Sequence, residues 1–174
     1  MSAINKLKSA IHPTIKEGSP FSPKPLLKEN DPANANVSLE NPTQGTIVVL
    51  GVPGAFSSTC SNQVPGYIEH AEQLKAKGVQ TVYVVAINDV FVTKAWAEKL
   101  GADKTGGFVR ILADDTGKFT QSLGLDFDAT GLLGSHRPKR YAAIVSAGIL
   151  KKLVVEEDPT QVQFTGAASV LSHL

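Results

Sequence analysis

The stretch TIVVLGVPGAFSSTC, Thr46 to Cys60, changes character twice within a few residues. It opens as a continuous β-branched and aliphatic run, TIVVLGV, the pattern of a strand buried on both faces. A Pro-Gly pair then breaks the run, and Ser57, Ser58, Thr59 and Ser61 surround the chain's single cysteine, Cys60, with hydroxyls. Hydroxyl residues collect at helix N-caps because their side chains bond to nearby backbone groups. The thiol therefore falls where a strand has ended and a helix is starting, which in alternating strand–helix proteins is where reactive groups sit. In the first turn of a helix, free N–H groups and the positive end of the helix dipole favour thiolate over thiol. A lone cysteine is otherwise a small buried hydrophobe, and on these residues alone both readings stand.

Outward from this segment, strand and helix patterns alternate. YIEHAEQLKAKG (67–78) puts Tyr67, Ile68, Ala71 and Leu74 on one helical face and stops at Gly78, a good C-cap. VQTVYVVAI (79–87) is a second buried strand, and Asn88–Asp89 supply an N-cap for a helix over VFVTKAWAEKLG (90–101). FVRILAD (108–114) is a third strand, and DDTGKFTQSLGL (114–125) a short helix with Phe119 and Leu123 toward the core. YAAIVSAGILKKLVVEE (141–157) reads as two strands in a hairpin about Ala147–Gly148, and TGAASVLSHL (165–174) as a terminal helix. The order β-α-β-α-β-α-β-β-α implies an α/β protein with a mixed central sheet and helices on both faces, similar to the thioredoxin-like fold. Six of the ten prolines (13, 20, 23, 25, 32 and 42) fall before Thr43. Residues 1–44 are therefore an irregular, extended N-terminal segment packed on the domain formed by 45–174, a single domain overall.

Composition narrows the function classes. With 42% hydrophobic and 19% charged residues in 174, the chain is long enough to bury a full core without metal or disulfide staples. A net charge of +1 with no basic run argues against nucleic acid as a partner, and no apolar run reaches membrane-spanning length. One cysteine excludes an intrachain disulfide and multi-cysteine zinc sites, and His12, His70, His136 and His173 have no ligand spacing, so no metal or cofactor is expected. MSAINKLKSAIHP lacks the apolar core of a secretory signal, and its lysines leave a mitochondrial presequence open. The C-terminal Ser172-His173-Leu174 resembles the Ser-Lys-Leu peroxisomal address with His in place of Lys, so a cytoplasmic or peroxisomal location is expected.

PGAFSSTC resembles the peroxidatic motif of peroxiredoxins, Pro-x-x-x-(Thr/Ser)-x-x-Cys, and its Pro-Gly-Ala-Phe form resembles the type-II, or peroxiredoxin-five, subfamily. IKEGSPF, PGYIEHAEQLKAKGV, INDVFVTKAWAEKLGA, DDTGKFTQSLGLD and RPKRYAAIV each resemble successive blocks of that subfamily in the same order, from Ile15 to Leu174. The resemblance implies that Cys60 is the peroxidatic thiol, that Pro53 shields it, that Ser57 occupies the Thr position, and that Arg140 is the active-site arginine. It further implies that Gly54, Thr59 and Phe91 border the substrate. Ser57 has the hydroxyl to bond a thiolate and a peroxide oxygen but lacks the methyl that restrains Thr. Read without the resemblance, Arg140 beside Arg137 and Lys139 is a solvated charge.

Two departures stand out. Subfamily members with an intrachain resolving cysteine have a second cysteine, absent here. The subfamily pattern Cys-Ser-x-x-His-apolar-Pro-Gly is also one residue shorter in CSNQVPG and lacks the His, which implies a regular α-helix where the family has a wide turn. The implied activity is a one-cysteine, thiol-dependent peroxidase. It reduces hydrogen peroxide and alkyl hydroperoxides through a sulfenic acid that an external thiol recycles. The implied reductants are glutathione with glutaredoxin, thioredoxin, or Cys60 of another subunit. A homodimer through the active-site end is also implied, with Phe91 either covering the cleft or packed in its own core. The rivals are a redox-sensing binding protein whose cysteine is oxidised or glutathionylated without turnover, and a cysteine hydrolase using His70 or His136.

Overall fold

β1 (Thr46–Gly51) is the central strand of a five-stranded sheet ordered β3-β2-β1-β6-β7 in the computed structural model, which describes residues 15–39 and 45–174. The stretch MSAINKLKSAIHP, with His12 and Pro13, lies outside the described residues, as do Pro42 and the segment boundary at residue 44. β2 (Val79–Ala86) and β3 (Val109–Ala113) run parallel to β1 and its neighbour, because helical crossovers return the chain between them. β6 (Tyr141–Ser146) and β7 (Ile149–Val155) run antiparallel, joined by a two-residue turn. Ala147 (φ 48) and Gly148 (φ 76) both take the left-handed conformation that a type I′ hairpin needs. The expected mixed sheet is thus observed.

Every residue of β1 after Thr46 is buried, since both faces of the sheet are covered. Val48 and Leu50 point into one core, with Cys60, Val64 and Tyr67 from α1 (Ser58–Glu69), Leu74 from α2 (Ala71–Ala76), Trp96 from α3 (Val90–Leu100), and Ala167 and Val170 from α6 (Ala167–Leu171). Ile47 and Val49 point into the other, with Phe119 of α4 (Lys118–Ser122), Tyr141, Val145, Leu150 and, from the N-terminal segment, Phe21, Leu27, Val37 and Leu39. The second face is therefore covered by one short helix and by the extended segment, which does much of the work that the element order alone assigns to helices. That segment pairs at Pro20 with Ile149 of β7 and at Lys28 with Ala113 of β3. It crosses the sheet from one edge strand to the other and occupies backbone groups on both edges, which leaves less strand edge open to pairing with another chain.

Two features differ from the sequence expectation. The helix leading to Gly78 begins at Ser58 and is interrupted at His70, so the periodic run 67–78 is split between α1 and α2. α1 passes through Pro65, a residue that usually breaks helices. It is α-helical throughout, as the shortened CSNQVPG implies. The second feature is a small ribbon of β4 (Asp126–Asp128) and β5 (His136–Pro138) flanking α5 (Thr130–Leu133). Strands of three residues carry too little periodicity to be read from sequence.

Register brings the functional ends together. Gly51 at the end of β1 is opposite Tyr141 at the start of β6, and Tyr141 is opposite Val155 at the end of β7. The residues just beyond these three positions, the Val52–Cys60 segment, Arg140 and Glu156, therefore emerge at one end of the sheet. Gly51 is required for this register, because a Cβ there would lie 2.0 Å from Tyr141 Cε1. We expect Gly51→Ala to destabilise the fold by about 1–3 kcal/mol through displacement of the Tyr141 ring; equilibrium urea unfolding measures this, and an unchanged midpoint would refute it. Ala147 is exposed and its side chain is disfavoured at φ 48. Ala147→Asn should raise the unfolding midpoint, by about 0.5–1 kcal/mol in stability at unchanged slope, because Asn tolerates the left-handed conformation.

Candidate active site

Val52 makes a last sheet bond through its N–H to Val85 O (3.1 Å), and the chain then turns at Pro53 and Gly54. The turn is held at its outer side by the Ala55 N–H donating to Asn88 Oδ1 (3.0 Å), and it passes through Phe56 at φ 63, a left-handed conformation costly for a non-glycine residue. Ser57 takes the N-cap position of α1 in an extended conformation, but its hydroxyl makes no capping bond. Cys60 is the third residue of the helix, with its side chain fully buried and its sulfur free of any disulfide. The thiol thus stands in the first helical turn, as the sequence implies.

Arg140 reaches this sulfur from the start of β6. Its side chain is 1% exposed, so it is no solvated surface charge. Nη2 donates to Cys60 Sγ at 3.3 Å and to Pro159 O at 2.8 Å, Nε donates to the same carbonyl at 2.9 Å, and Nη1 donates to Gln63 Oε1 at 2.6 Å. The planar guanidinium is thereby gripped on two sides, and its remaining contact is the sulfur. Of the three groups that accept from it, only the sulfur can become an anion. The hydrogen-bond acceptors of this buried cation include no carboxylate.

Gln63 was not singled out in the sequence, although its place follows from helical spacing. At three residues past Cys60 it shares a face with the thiol. Its amide bridges Arg140 to Thr165, with Nε2 donating to both Thr165 O and Thr165 Oγ1 at 2.9 Å. Tyr67, one turn further along α1, also donates to Thr165 O (2.6 Å), and burial pushes its phenol well above the ordinary tyrosine range, so it stays a donor. The legible signal was Gln where the resembling subfamily has a nearby His. Pro159, by contrast, acts through its backbone carbonyl, as Thr165 does in part, and no residue type announces that.

The structure holds the other candidate residues in different ways. Pro53 is buried and its carbonyl accepts from Arg137 Nη1 (3.3 Å), while Arg137 Nη2 bonds Leu133 O (3.0 Å) and Nε bonds Ser135 Oγ (3.1 Å). Gly54 leaves room for that guanidinium, since a Cβ would lie 3.3 Å from Nη1. Thr59 turns its hydroxyl to Thr160 O (3.2 Å), tying the helix to the segment after β7. The Ser57 hydroxyl makes no bond to Cys60. Phe91 is 69% exposed at the second position of α3, which overturns the alternative that it packs in its own core. Asp89 caps that helix by accepting from Val92 N (3.0 Å), and the resulting phase turns Val90, Thr93 and Trp96 inward and Phe91 out. Neither histidine of the hydrolase alternative serves the thiol: His70 Nδ1 is bonded to Gly66 O and His136 Nδ1 to Asp126 Oδ2.

Chemically, the arrangement is a buried sulfur nucleophile with a fixed cation 3.3 Å away, whose N–H groups can also hold an oxyanion developing on a leaving group. Among the described residues there is no cluster of three or more His, Cys, Asp or Glu that would hold a metal, and no helix is long and apolar enough to cross a membrane.

Comparison with known proteins gives a consistent result. The family model described as Redoxin matches residues 13–171. Peroxisomal membrane associated protein 20 of Schizosaccharomyces pombe is 47% identical over 152 residues, which are 87% of this chain and 95% of the relative. Peroxiredoxin-2F, mitochondrial, of Arabidopsis thaliana is 41% identical over 129 residues, covering 74% of this chain and 63% of its own length. Among solved structures, reduced Prx3 from Vibrio vulnificus matches with a TM-score of 0.81 and 37% identity, over 91% of this chain and 97% of that one. Peroxiredoxin 5 from Alvinella pompejana matches with a TM-score of 0.78 and 25% identity, again over 91% and 97%.

Proposed function

This chain belongs to the redoxin family and is a peroxiredoxin, a thiol-dependent peroxidase, and from that premise we propose that Cys60 is its peroxidatic nucleophile and Arg140 the residue that activates it. The observation that carries this assignment is the 3.3 Å contact between Arg140 Nη2 and Cys60 Sγ, made by an arginine with 1% exposure. The Cys60 thiolate attacks one oxygen of the peroxide; an S–O bond forms, the O–O bond breaks, and the departing alkoxide or hydroxide takes a proton to leave as alcohol or water. Arg140 stabilises the thiolate before attack and the leaving oxyanion during it. The Ser57 hydroxyl, free of capping duty, is the side-chain donor for the bound peroxide. Pro53 covers the sulfur, Gly54 and Thr59 border the substrate through their backbone, and Phe91 forms the apolar rim.

The sulfenic acid then condenses with an external thiol, releasing water and leaving a mixed disulfide, and a second thiol displaces Cys60 as thiolate. One peroxide and two thiols give one alcohol, one water and one external disulfide. With a single cysteine per chain, the thiols come from outside: glutathione with glutaredoxin, thioredoxin, or the cysteine of a second copy. The redox-sensing alternative is not favoured, since the relatives are peroxiredoxins. We assign the protein to the cytoplasm or the peroxisome. The peroxisomal naming of the Schizosaccharomyces pombe relative supports the second, and the mitochondrial naming of the Arabidopsis thaliana relative is what supports the mitochondrial alternative.

A homodimer through the active-site end is the assembly best supported. Phe56 (52% exposed), Phe91 (69%) and Leu132 (75%) are open apolar side chains. The Ala55–Asn88 bond brings the loop of Phe56 to the start of α3, and Arg137 brings α5 to the Pro53 turn. Light scattering on the reduced protein at high micromolar concentration should give twice the 18.4 kDa chain mass. A monomer throughout that range would count against it.

The catalytic assignment is tested by peroxide turnover with each reductant supplied separately. Cys60→Ser should abolish activity while leaving the fold intact, because oxygen is a far weaker nucleophile at neutral pH. Arg140→Ala should lower kcat/KM for peroxide by about 10²-fold, the scale of losing an oxyanion donor. Arg140→Lys should rescue little of this, since one ammonium lacks the fork that meets Pro159, Gln63 and the sulfur together. Wild-type kinetics in Arg140→Ala would assign activation to another residue.

A further inference from the structure

Glu156 has no part in the chemistry above, yet its side chain is buried at 6% exposure, one residue past the end of β7. Its N–H donates to Arg140 O (2.9 Å), continuing the sheet ladder beside the catalytic arginine. Its Oε1 accepts from three successive backbone N–H groups, Gln163 (2.9 Å), Phe164 (2.8 Å) and Thr165 (2.8 Å), and from Thr165 Oγ1 (2.8 Å). One carboxylate oxygen thus closes the chain from Glu156 back onto Thr165.

The loop closed in this way supplies the acceptors that orient the active site. Pro159 O takes two bonds from Arg140, Thr160 O takes the Thr59 hydroxyl, and Thr165 O takes Gln63 and Tyr67. Packing does little to hold the loop, because none of residues 157–164 is buried. A hydrogen-bonded anchor is therefore what fixes these carbonyls. The Asp158 carboxylate accepts from Thr160 N (2.8 Å) and Oγ1 (2.7 Å) near the tip of the loop.

We propose that Glu156 is a positioning residue for the peroxidase reaction: its carboxylate staples the 157–165 loop so that Pro159 directly, and Thr165 through Gln63, aim Arg140 at the Cys60 sulfur. The inference rests on the assignment of Cys60 and Arg140 above. Glu156 makes no bond to the sulfur and reaches it chiefly through the guanidinium that Pro159 and Gln63 hold. Most of its effect on rate must therefore disappear when the guanidinium is removed.

That condition is a double-mutant cycle on the full chain, read as kcat/KM for hydrogen peroxide, with thermal melting to verify folding. Glu156→Ala should lose about tenfold or more, since a misplacement near 1 Å at a reacting centre has effects up to about 10²-fold. Glu156→Gln retains an oxygen of the same reach and should stay within about threefold of wild type, while Glu156→Asp, a carboxylate one methylene too short, should fall toward the Ala variant. Added to Arg140→Ala, the Glu156→Ala change should cost less than about twofold, because coupled residues are non-additive. If Glu156→Ala does not fold, Glu156→Asp completes the same cycle. Wild-type kinetics in a folded Glu156→Ala or Glu156→Asp, or a loss of equal size with and without Arg140, would overturn the proposal. A wild-type rate in Arg140→Ala itself would instead overturn the underlying catalytic assignment.

Discussion

A permanently charged guanidinium held out of water is the constraint around which this protein is organised. Arg140 keeps its charge in any environment, so its desolvation must be offset by acceptors placed with good geometry. Three parts of the chain supply them: a backbone carbonyl after β7, a side-chain amide on α1 and the sulfur in the first turn of α1. The two polar acceptors are neutral groups, and the sulfur completes the set, so removing any one of the three leaves the buried guanidinium less well compensated.

The sheet makes that contact possible at fixed distance. Cys60 follows β1, Arg140 precedes β6 and Glu156 follows β7, three neighbouring strands whose register aligns these ends. The Gly51–Tyr141 pair and the type I′ turn at Ala147–Gly148 hold the register from opposite ends of β6. Strands buried on both faces have little freedom to slip, since a one-residue shift would exchange the Val48–Leu50 and Ile47–Val49 faces between two differently shaped cores. The N-terminal segment seals the second of those cores and pairs with both edge strands of the sheet.

In CSNQVPG the residue that shares a face with Cys60 is Gln63, and its amide can accept from Arg140 with one end and donate to Thr165 with the other. A carboxamide is suited to this relay because it has both an acceptor and a donor, neither of which depends on pH. The arginine is therefore held by a partner whose protonation does not change across the physiological range. The helix that carries both Cys60 and Gln63 is α-helical from Ser58 to Glu69.

Much of this molecule was legible in its residues. The β-branched run at 46–52, the caps at Asp89 and Gly101 and the Ala-Gly hairpin state local preferences that the structure obeys. The position of Cys60 at a helix start needed only the hydroxyl cluster and the Pro-Gly break. These are short-range effects, in which steric and hydrogen-bonding preferences act within a few residues. What the sequence did not disclose is of long range. The burial of Arg140 could not be read from a cluster of basic residues. The relay from Gln63 to Thr165 joins residues 102 positions apart, and Pro159 contributes through a carbonyl that every residue possesses. Likewise, the outward turn of Phe91 depended on which face of α3 met the sheet. Local sequence determined where a nucleophile could stand. Only tertiary packing decided that a charge from a distant strand would be desolvated against it, because desolvation is a property of everything that surrounds a group.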